Sequence, residues 1–329
     1  MFEFTRVQDL AELPPPDERF IDVAVLDMNH RWLNVGHDSV VRAVRALTAE
    51  LATLHDDVAV RLFSFDVRNR MVVPEHDGRF SLYVGTGGPG NLDPHENLGR
   101  GEAEIEEDPT WEAPIFALFD AIRADENAAL VGVCHTFGLL CRWAGVAQPV
   151  LRGAELLGKS IGVQHNVLTE AAIEHPWFSR LAQSVGTHVP VVDHRYYDLV
   201  ALNGAKPGVT VIGFESEMAG RDRVLTMIEF ARNAGDPIPR MYASNHHPEI
   251  PNVDDLAALL NDKLTSGEVT REWYDSRAIV ITVLQRNEHD ERARLLTSEY
   301  TFTGLLRVHL ERLIARKAAR RGRTVSAAL

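Results

Sequence analysis

Cys134 stands where a strand is predicted to end and a helix to begin, and this position suits a nucleophile. The apolar run 129–131 predicts a buried strand ending at Gly132, and the apolar spacing over 137–143 predicts a helix. A helix N-terminus lowers the pKa of a thiol and raises its reactivity, and a preceding glycine allows the sharp bend of a nucleophile elbow. Many α/β proteins also carry an inert cysteine at a strand end, so a buried structural thiol is the alternative.

A base and its orienting group are available in the segment 245–249, NHHPE. A thiol nucleophile needs a base, and the base needs a group that holds it in place. His247 and Glu249 flank Pro248, which stiffens the short turn between them. His246 is the other candidate base, but neighbouring residues on a strand point to opposite faces, so only one of the two histidines can reach Cys134.

A glycine-rich segment, GTGGPGN at 85–91, supplies backbone amides that no side chain obstructs. Such N–H groups stabilise the negative charge of a tetrahedral intermediate. This segment, the elbow at 132–138 and the segment 245–249 each follow a predicted strand. The carboxyl ends of parallel strands meet at one edge of an α/β sheet, so the sequence predicts one site built from all three.

The elements that must position these segments alternate between strand and helix. Strands are predicted over 20–28, 58–65, 81–84, 129–131, 160–163, 189–192, 209–214 and 241–244. Helices are predicted over 39–54, 111–122, 137–143, 170–183, 221–233, 254–264, 268–285 and 300–319. The alternation predicts an α/β fold with a mostly parallel sheet and helices on both faces.

The domain prediction has three parts. Residues 1–19 are expected to form an irregular arm, because prolines 14–16 bar regular structure. Residues 20–252 are expected to form the catalytic domain, in which the acidic segment 91–110 is a candidate lid or insertion. Residues 253–329 are expected to form a helical C-terminal extension.

Composition excludes several classes of function. The net charge of −13 over 329 residues argues against general binding to nucleic acid or to a membrane surface. No apolar run approaches the length of a membrane span, and the N-terminus lacks a signal-peptide pattern. Cys134 and Cys141 lie too far apart along one helix to form a disulfide. We therefore expect a cytoplasmic protein.

With these segments in place, the sequence resembles the class I glutamine amidotransferase family. The matching residues are GGPG at 87–90, GVC at 132–134 and HPE at 247–249, in the family's order and at its approximate spacings. Trp111-Glu112 and Asp193-His194-Arg195 also match. The resemblance covers roughly residues 20–250 and implies a flavodoxin-like, three-layer α/β/α fold.

The resemblance implies a Cys-His-Glu triad without a cofactor. Cys134 would attack the side-chain amide of glutamine to form a thioester and release ammonia, with His247 as base and Glu249 as its orienter. The backbone N–H groups of Gly88 and His135 would form the oxyanion hole. Oxyanion-hole or substrate-binding roles are thus assigned to a set of five residues: Gly88, Gly90, His135, Asp193 and His194.

No acceptor domain for the ammonia is visible in the sequence. The partner would therefore be a separate synthetase or acceptor subunit, and a homo-oligomer is left open. A metal is not assigned, because the candidate ligands Asp93, His95 and Glu96 lie in an acidic loop of the kind that is usually solvated, without convincing zinc spacing.

The elbow departs from the family pattern, which continues Cys-x-Gly-His-Gln. The same positions here hold Thr136, Phe137 and Gly138. A β-branched residue replaces the turn glycine, and Gly138 has no side chain with which to hold glutamine. Two alternatives therefore stay open: a divergent cysteine amidase, peptidase or acyltransferase of the same fold, and a non-catalytic binding or regulatory homologue.

Overall fold

The computed structural model describes residues 1–30, 35–97, 99, 105–153, 158–202, 208–215, 224–285 and 291–327. These residues form a sheet of 12 strands with helices packed on both faces. The strands are β1 (Phe2–Val7), β2 (Ile21–Asp27), β3 (Val60–Asp66), β4 (Leu82–Gly85), β5 (Ala129–Val133), β6 (Ala147–Leu151), β7 (Ser160–Leu168), β8 (His188–Arg195), β9 (Tyr197–Ala201), β10 (Thr210–Glu215), β11 (Val224–Ala231) and β12 (Met241–Ser244).

The helices of the described residues are interspersed among the strands as far as β8, and a C-terminal series of helices follows β12. They are α1 (Val35–Leu54), α2 (Val67–Arg70), α3 (Glu112–Ala124), α4 (His135–Ala144), α5 (Glu170–Glu174), α6 (Ser179–Val185), α7 (Val253–Thr265), α8 (Arg271–Gln285), α9 (Glu291–Ser298) and α10 (Gly304–Ala327). A π-helical turn (Glu299–Thr303) joins α9 to α10.

The sheet has a parallel part that carries the site and an antiparallel part that extends it. The parallel part runs in the order β1-β3-β2-β4-β5-β12, and β11, β10, β7 and β8 continue it with antiparallel pairings. Gly85 of β4 lies opposite Gly132 of β5, and Val133 of β5 lies opposite Ser244 of β12. The carboxyl ends of β4, β5 and β12 therefore lie side by side.

Two hydrophobic cores lie on the two faces of the sheet, because successive strand residues point to opposite sides. In β2, Ala24 and Leu26 belong to the core beneath α3 and α4. Val23 and Val25 of the same strand belong to the core beneath α1 and α10. The helices therefore form the outer layers of a three-layer α/β/α structure.

The C-terminal helices are part of this packing. Leu306 and Leu310 of α10 are fully buried in the same core as α1. Helix α7 is tied to α1 by Lys263, whose Nζ lies 2.5 Å from Oδ2 of Asp38. A third, smaller core joins Leu256 and Leu260 of α7 to Ile250, next to the segment 245–249.

The predicted fold class, α/β with helices on both faces and a helical C-terminal region, is confirmed. The predicted helix over 221–233 is wrong where the structure describes it, since Val224–Ala231 is strand β11 and residues 221–223 lie outside the described residues. All eight residues of β11 are buried. The segment is short and mostly apolar, with Thr226 and Glu229 between apolar residues, and such a pattern does not distinguish a buried strand from a buried helix.

The irregular arm expected over 1–19 is wrong for Phe2–Val7, which forms the parallel edge strand β1 against β3. Strands β6 and β9, which pair with each other, lie outside the predicted elements. The candidate lid or insertion over 91–110 falls partly on residues 98 and 100–104, outside the described residues. The boundaries at 19/20 and 252/253 stay predictions.

Among the described residues, no helix is both long enough and apolar enough to cross a lipid bilayer.

Candidate active site

Cys134 lies at a strained turn between β5 and α4. Its φ of 49° and ψ of −103° are unusual for a residue with a side chain. The strain is held by the backbone: the Cys134 N–H donates to Ser244 O at 2.8 Å, and the Gly138 N–H donates to Cys134 O at 3.1 Å. This is the geometry of a nucleophile elbow, which exposes a side chain above the end of the sheet.

Thr136, the first departure in the elbow, fits because two glycines face it. Gly85 and Gly132 are paired across β4 and β5, and a Cβ on them would lie 2.3 and 2.7 Å from Thr136 Cγ2. The Thr136 hydroxyl donates to Thr86 O at 2.9 Å. The β-branched residue therefore fills space that the neighbouring strands leave open, and it ties the elbow to the glycine loop.

Gly138, the third departure after Thr136 and Phe137, lies against the side chain of Leu92. A Cβ on Gly138 would lie 2.5 Å from Leu92 Cδ1 and 2.7 Å from Cδ2. Leu92 is buried and also lines the pocket beside Cys134. An apolar side chain therefore occupies the space next to the position where the family pattern has a glutamine.

His247 and Glu249 form a buried, hydrogen-bonded pair. His247 Nδ1 lies 2.8 Å from Oε1 of Glu249, whose side chain has no exposed surface. The His247 N–H donates to Val192 O at 2.8 Å, and the Ser298 hydroxyl donates to Pro248 O at 2.6 Å. The turn is thus fixed by β8 on one side and by the end of α9 on the other.

The structure brings Cys134 and His247 together above Gly87. A Cβ on Gly87 would lie 3.1 Å from His247 Cε1 and 3.7 Å from Cys134 Sγ. Burial lowers the pKa of His247, but the charges of Glu249 and Cys134 raise it by a larger amount. The pKa therefore lies well above its ordinary value. This environment favours the imidazolium form of His247.

His246 lies in a different environment from its neighbour. It is buried, and Asn166 Nδ2 donates to its Nδ1 at 3.4 Å. Burial, together with the charges of His247 and Arg195, lowers the pKa of His246 to about 3. His246 is therefore neutral, and it is not part of the pocket wall that contains Cys134 and His247.

The glycine loop is held against the sheet by Arg68. Arg68 Nη1 donates to Met28 O at 2.9 Å and to Pro89 O at 2.6 Å. Its other nitrogens bind Glu107, and both side chains have no exposed surface. A Cβ on Gly88 would lie only 2.0 Å from Met28 O, so only glycine allows this close approach.

The two predicted oxyanion-hole donors border the elbow. No hydrogen bond from the N–H of Gly88 or of His135 is found within the part of the chain that the structure describes. Gly88 and Gly90 line the pocket, and Gly90 has a φ of 83°, which favours glycine. The His135 ring is buried, and burial with the charges of Arg68 and Arg142 lowers its pKa well below the ordinary value. Only the backbone of His135 is thus suited to a role in the site.

A pocket of about 190 Å³ opens beside Cys134 and His247. Asp193 and His194 both lie in its wall. Asp193 is completely buried: its Oδ2 accepts from Ser160 Oγ at 2.7 Å and from Arg195, whereas its Oδ1 has no partner among the described residues. His194 is exposed, with its ring centroid 6.4 Å from that of His247. The roles predicted for these residues stay predictions.

The candidate metal ligands in the structure include one residue that the sequence analysis did not assign as a ligand. Asp93 and His95 come together with Glu112, not with Glu96, and their ligand atoms lie within 4.8 Å of one another. Arg142 binds both carboxylates, with Nη2 at 3.0 Å from Asp93 Oδ2 and Nη1 in contact with Glu112. This guanidinium already offsets one of the two negative charges that would attract a cation.

Sequence reasoning missed Arg68 and Ser298, which fix the glycine loop and the turn at 247–249. Neither belongs to a motif, and each is distant in sequence from the group it binds. It also missed the contribution of α7 and α8, from which Leu256, Trp273 and Arg277 enter the pocket wall. No local signal in the sequence marks these contacts.

No protein-family model matches the chain, and no curated protein matches it in sequence. Among solved structures, the glutaminase domain of Trypanosoma brucei CTPS with bound acivicin is similar with a TM-score of 0.45 and 10% identity, over 70% of this chain and 86% of that one. A protein described as thua-like from Bacteroides uniformis ATCC 8492 is similar with a TM-score of 0.36 and 7% identity, over 70% and 82%. Similarities this low do not assign an activity.

Proposed function

We propose that the chain is a cysteine-dependent amidohydrolase or amidotransferase of the class I glutamine amidotransferase type. The observation that carries the proposal is the arrangement of Cys134 at a strained elbow, next to His247, whose other ring nitrogen binds the buried carboxylate of Glu249. A nucleophile, a base and an orienting group in this order are the parts that thioester chemistry needs.

The proposed reaction begins with attack of the Cys134 thiolate on the carbon of a primary amide. The N–H groups of Gly88 and His135 stabilise the oxyanion, and the His247 imidazolium gives its proton to the leaving nitrogen. Ammonia departs and an acyl thioester remains on Cys134. His247, now neutral, takes a proton from water, which attacks the thioester and releases the acid and the Cys134 thiolate, so the starting ion pair is restored.

Glu249 has two effects in this cycle. Its carboxylate fixes the orientation of the His247 ring through the bond at 2.8 Å, and it stabilises the positive charge that the ring carries before ammonia departs. Glu249 is buried, so water screens this interaction little. The raised pKa of His247 has this charge and that of Cys134 as its causes.

The substrate of the proposed enzyme is an amide that carries a hydrogen-bond donor. Asp193 Oδ1 is buried in the pocket wall without a partner among the described residues, and such an oxygen accepts from an ammonium, amide or hydroxyl group. Glutamine has such a donor. Leu92 fills the space next to Gly138, however, so we expect free glutamine to be a poor substrate unless an acceptor subunit completes the pocket.

The second candidate function is cleavage or acyl transfer on another amide or peptide by the same triad. The contact between Leu92 and Gly138 favours it, because an apolar side chain borders the pocket where the family pattern holds glutamine. In this case the released amine goes to solvent, and no ammonia-accepting partner is required.

The decisive experiment is detection of an acyl group on Cys134. Glutamine and a panel of other primary amides are incubated with the protein, ammonia release is measured, and hydroxylamine is added to convert any thioester into a hydroxamate. We expect a substrate to release ammonia, with hydroxamate approaching the same amount as the hydroxylamine concentration rises, and we expect neither product from Cys134→Ala. Cys141→Ala is the matched control, because the Cys141 thiol is buried and burial raises its pKa.

The outcomes separate the candidates. Turnover of glutamine supports the amidotransferase, and turnover of other amides alone supports the second function. Equal activity in Cys134→Ala would contradict both. A folded protein that forms no acyl adduct with any amide, with or without candidate acceptor subunits, would indicate a non-catalytic binding protein.

A further inference from the structure

The third hydrophobic core, which lies next to the segment 245–249, also forms part of the pocket wall beside Cys134. Several apolar residues belong to this core or pack against it and line the pocket as well: Val35, Val192, Ile250, Leu256 and Trp273. They come from α1, β8, the segment after β12, α7 and α8. The pocket is therefore an opening into apolar packing.

Two of these residues keep apolar surface that the described part of the protein does not cover. Val35, the first residue of α1, and Trp273, on α8, are only half-buried. Leu92 adds a further apolar side chain to the same wall, next to Gly138. Removal of apolar surface from water is favourable, so this wall favours an apolar ligand group over a hydrated one.

The cationic side chains of the wall have contacts within the protein. Arg195 forms ion pairs with three carboxylates. Lys159 Nζ lies 4.4 Å from the ring centroid of Tyr196. Arg277 Cζ lies 5.1 Å from the ring centroid of Trp273. These contacts do not call for a charged ligand, and burial of an unpaired ligand charge against the apolar wall would cost free energy.

We propose that the substrate of Cys134 is a primary amide with an uncharged, apolar acyl chain, and that this chain lies against Val35, Leu92 and Trp273. The inference rests on the proposed function and specifies its substrate class. The amide group itself carries N–H donors of the kind that Asp193 Oδ1 accepts.

The size of the pocket limits the acyl chain. A cavity of about 150 Å³ accommodates one benzene molecule. The pocket beside Cys134, at about 190 Å³, therefore has room for a branched aliphatic chain or a single aromatic ring.

The test uses amides that differ only in the polarity of the distal group. Isocaproamide is glutamine with its α-ammonium and α-carboxylate groups replaced by methyl groups, and succinamide is its neutral, polar isostere. We expect kcat/KM for isocaproamide to exceed that of glutamine, and that of succinamide corrected for its two amides, by about tenfold or more. Added salt should not reduce this advantage, since no charge pairing produces it.

Chain truncation and extension measure the same apolar contact. Propionamide lacks the branched end of isocaproamide, and hydrocinnamamide carries a phenyl ring in its place. We expect kcat/KM to rise from propionamide to isocaproamide and to hydrocinnamamide, because each larger group brings more apolar surface into the pocket. A flat series would contradict the inference.

A pair of variants assigns the preference to the pocket wall. Val35→Thr replaces a methyl group of the wall by a hydroxyl, and we expect it to lower the ratio of kcat/KM between isocaproamide and glutamine about threefold or more. Val253→Thr is the matched control. Val253 is the first residue of α7, is half-buried and packs against the same core, but it does not line the pocket. An equal fall in both variants would overturn the assignment to the wall.

Binding to Cys134→Ala, measured by NMR titration, separates this inference from the proposed reaction. Tighter binding of isocaproamide and hydrocinnamamide than of glutamine supports the apolar subsite even where no amide is turned over. Equal binding of these amides, or no binding of the apolar ones, would overturn it. Turnover of glutamine or succinamide as fast as of isocaproamide would also overturn it and would leave the thioester chemistry intact.

Discussion

The two adjacent histidines of the site show how strongly position decides the chemistry of one residue type. His247 has a raised pKa beside Glu249 and Cys134, whereas the pKa of His246 falls to about 3 among buried groups. The two residues are adjacent in the chain, so their local sequence context is nearly the same. The difference arises because the end of β12 directs their side chains into different surroundings.

We expect His247→Ala to lower kcat by at least about a thousandfold, approaching the loss in Cys134→Ala, because members of a triad act as a unit. His246→Ala should cost much less activity and act through packing. Steady-state kinetics with a substrate amide and unfolding curves for both variants make the comparison. The opposite ranking in kcat would make His246 the base.

The pH dependence of acylation tests whether the charge of Glu249 raises the pKa of His247. In the proposed reaction the imidazolium protonates the departing nitrogen, so we expect kcat/KM to fall as the pH rises through the pKa of His247 in the folded protein. Glu249→Gln removes the charge that raises this pKa, and we therefore expect the alkaline limb of the kcat/KM profile to move to lower pH. An unmoved limb would show that another group sets it.

At Gly138, where the family pattern has a glutamine, the side chain of Leu92 occupies the space that a larger residue would need. Gly138→Gln alone should overpack against Leu92 and cost about 1–3 kcal/mol of unfolding free energy. Combined with Leu92→Ala, the larger residue has room, so the two changes should couple favourably in a double-mutant cycle. Denaturant unfolding of the two single variants and the double variant measures the coupling. Strict additivity would mean that the side chains do not compete for the same space.

At the scale of elements, the site is assembled from segments that are distant in the chain. The end of α9 fixes the turn at 247–249 through Ser298, and α2 fixes the glycine loop through Arg68. These contacts make the position of the proposed base and of the proposed oxyanion donors depend on helices that contribute no reacting atom.

We expect Ser298→Ala to lower kcat about tenfold with little change in KM, because the turn that carries His247 loses one of its anchors. Unfolding free energy should fall by about 1 kcal/mol. Ser298→Thr keeps the hydroxyl and should restore kcat in part. Ser184→Ala is the control, since Ser184 donates to Arg180 O at 2.8 Å on the exposed surface of α6. An equal fall in the two alanine variants would rule out a specific effect on the turn.

The segments that carry the site could be predicted because their signals are local. A strand, a glycine and a helical period predict the elbow at Cys134, and Met241–Ser244 is short, apolar and followed by HPE. Val224–Ala231 could not be assigned in this way, because its strand conformation follows from pairing with β9, β10 and β12. Arg68 and Ser298 act only through contacts that folding creates.

For the whole molecule, the ion pair between the partly exposed Asp38 of α1 and the buried Lys263 of α7 joins the helix layer beside the parallel strands to the C-terminal helices. Burial raises the pKa of Asp38, but His37 and Lys263 lower it by a larger amount. The pKa therefore falls from 3.8 to about 2. Because the folded-state pKa is depressed, the stabilisation is complete above the unfolded pKa and is lost as the pH falls from about 4 toward 2.

We therefore expect the free energy of unfolding to fall between pH 4 and pH 2, with Asp38 contributing about 2 kcal/mol of the decrease. Asp38→Asn should be less stable than the parent at pH 7 and should lose less stability over that range. Unfolding free energies at a series of pH values give the comparison. Asp262→Asn, which removes an exposed partner of Arg42, is the control. Parallel curves for the parent and Asp38→Asn would contradict the assignment.

The hydrogen bond from Ser298 to Pro248 also sets when the site can be completed during synthesis. The ribosome makes the chain from its N-terminus at about 5–20 residues per second, so Cys134 is made on the order of ten seconds before Ser298. In that interval the thiol exists first without His247 and then with a base whose turn lacks its anchor. Because of this order, a nascent chain cannot hold both the proposed nucleophile and an anchored His247 until α9 has left the ribosome.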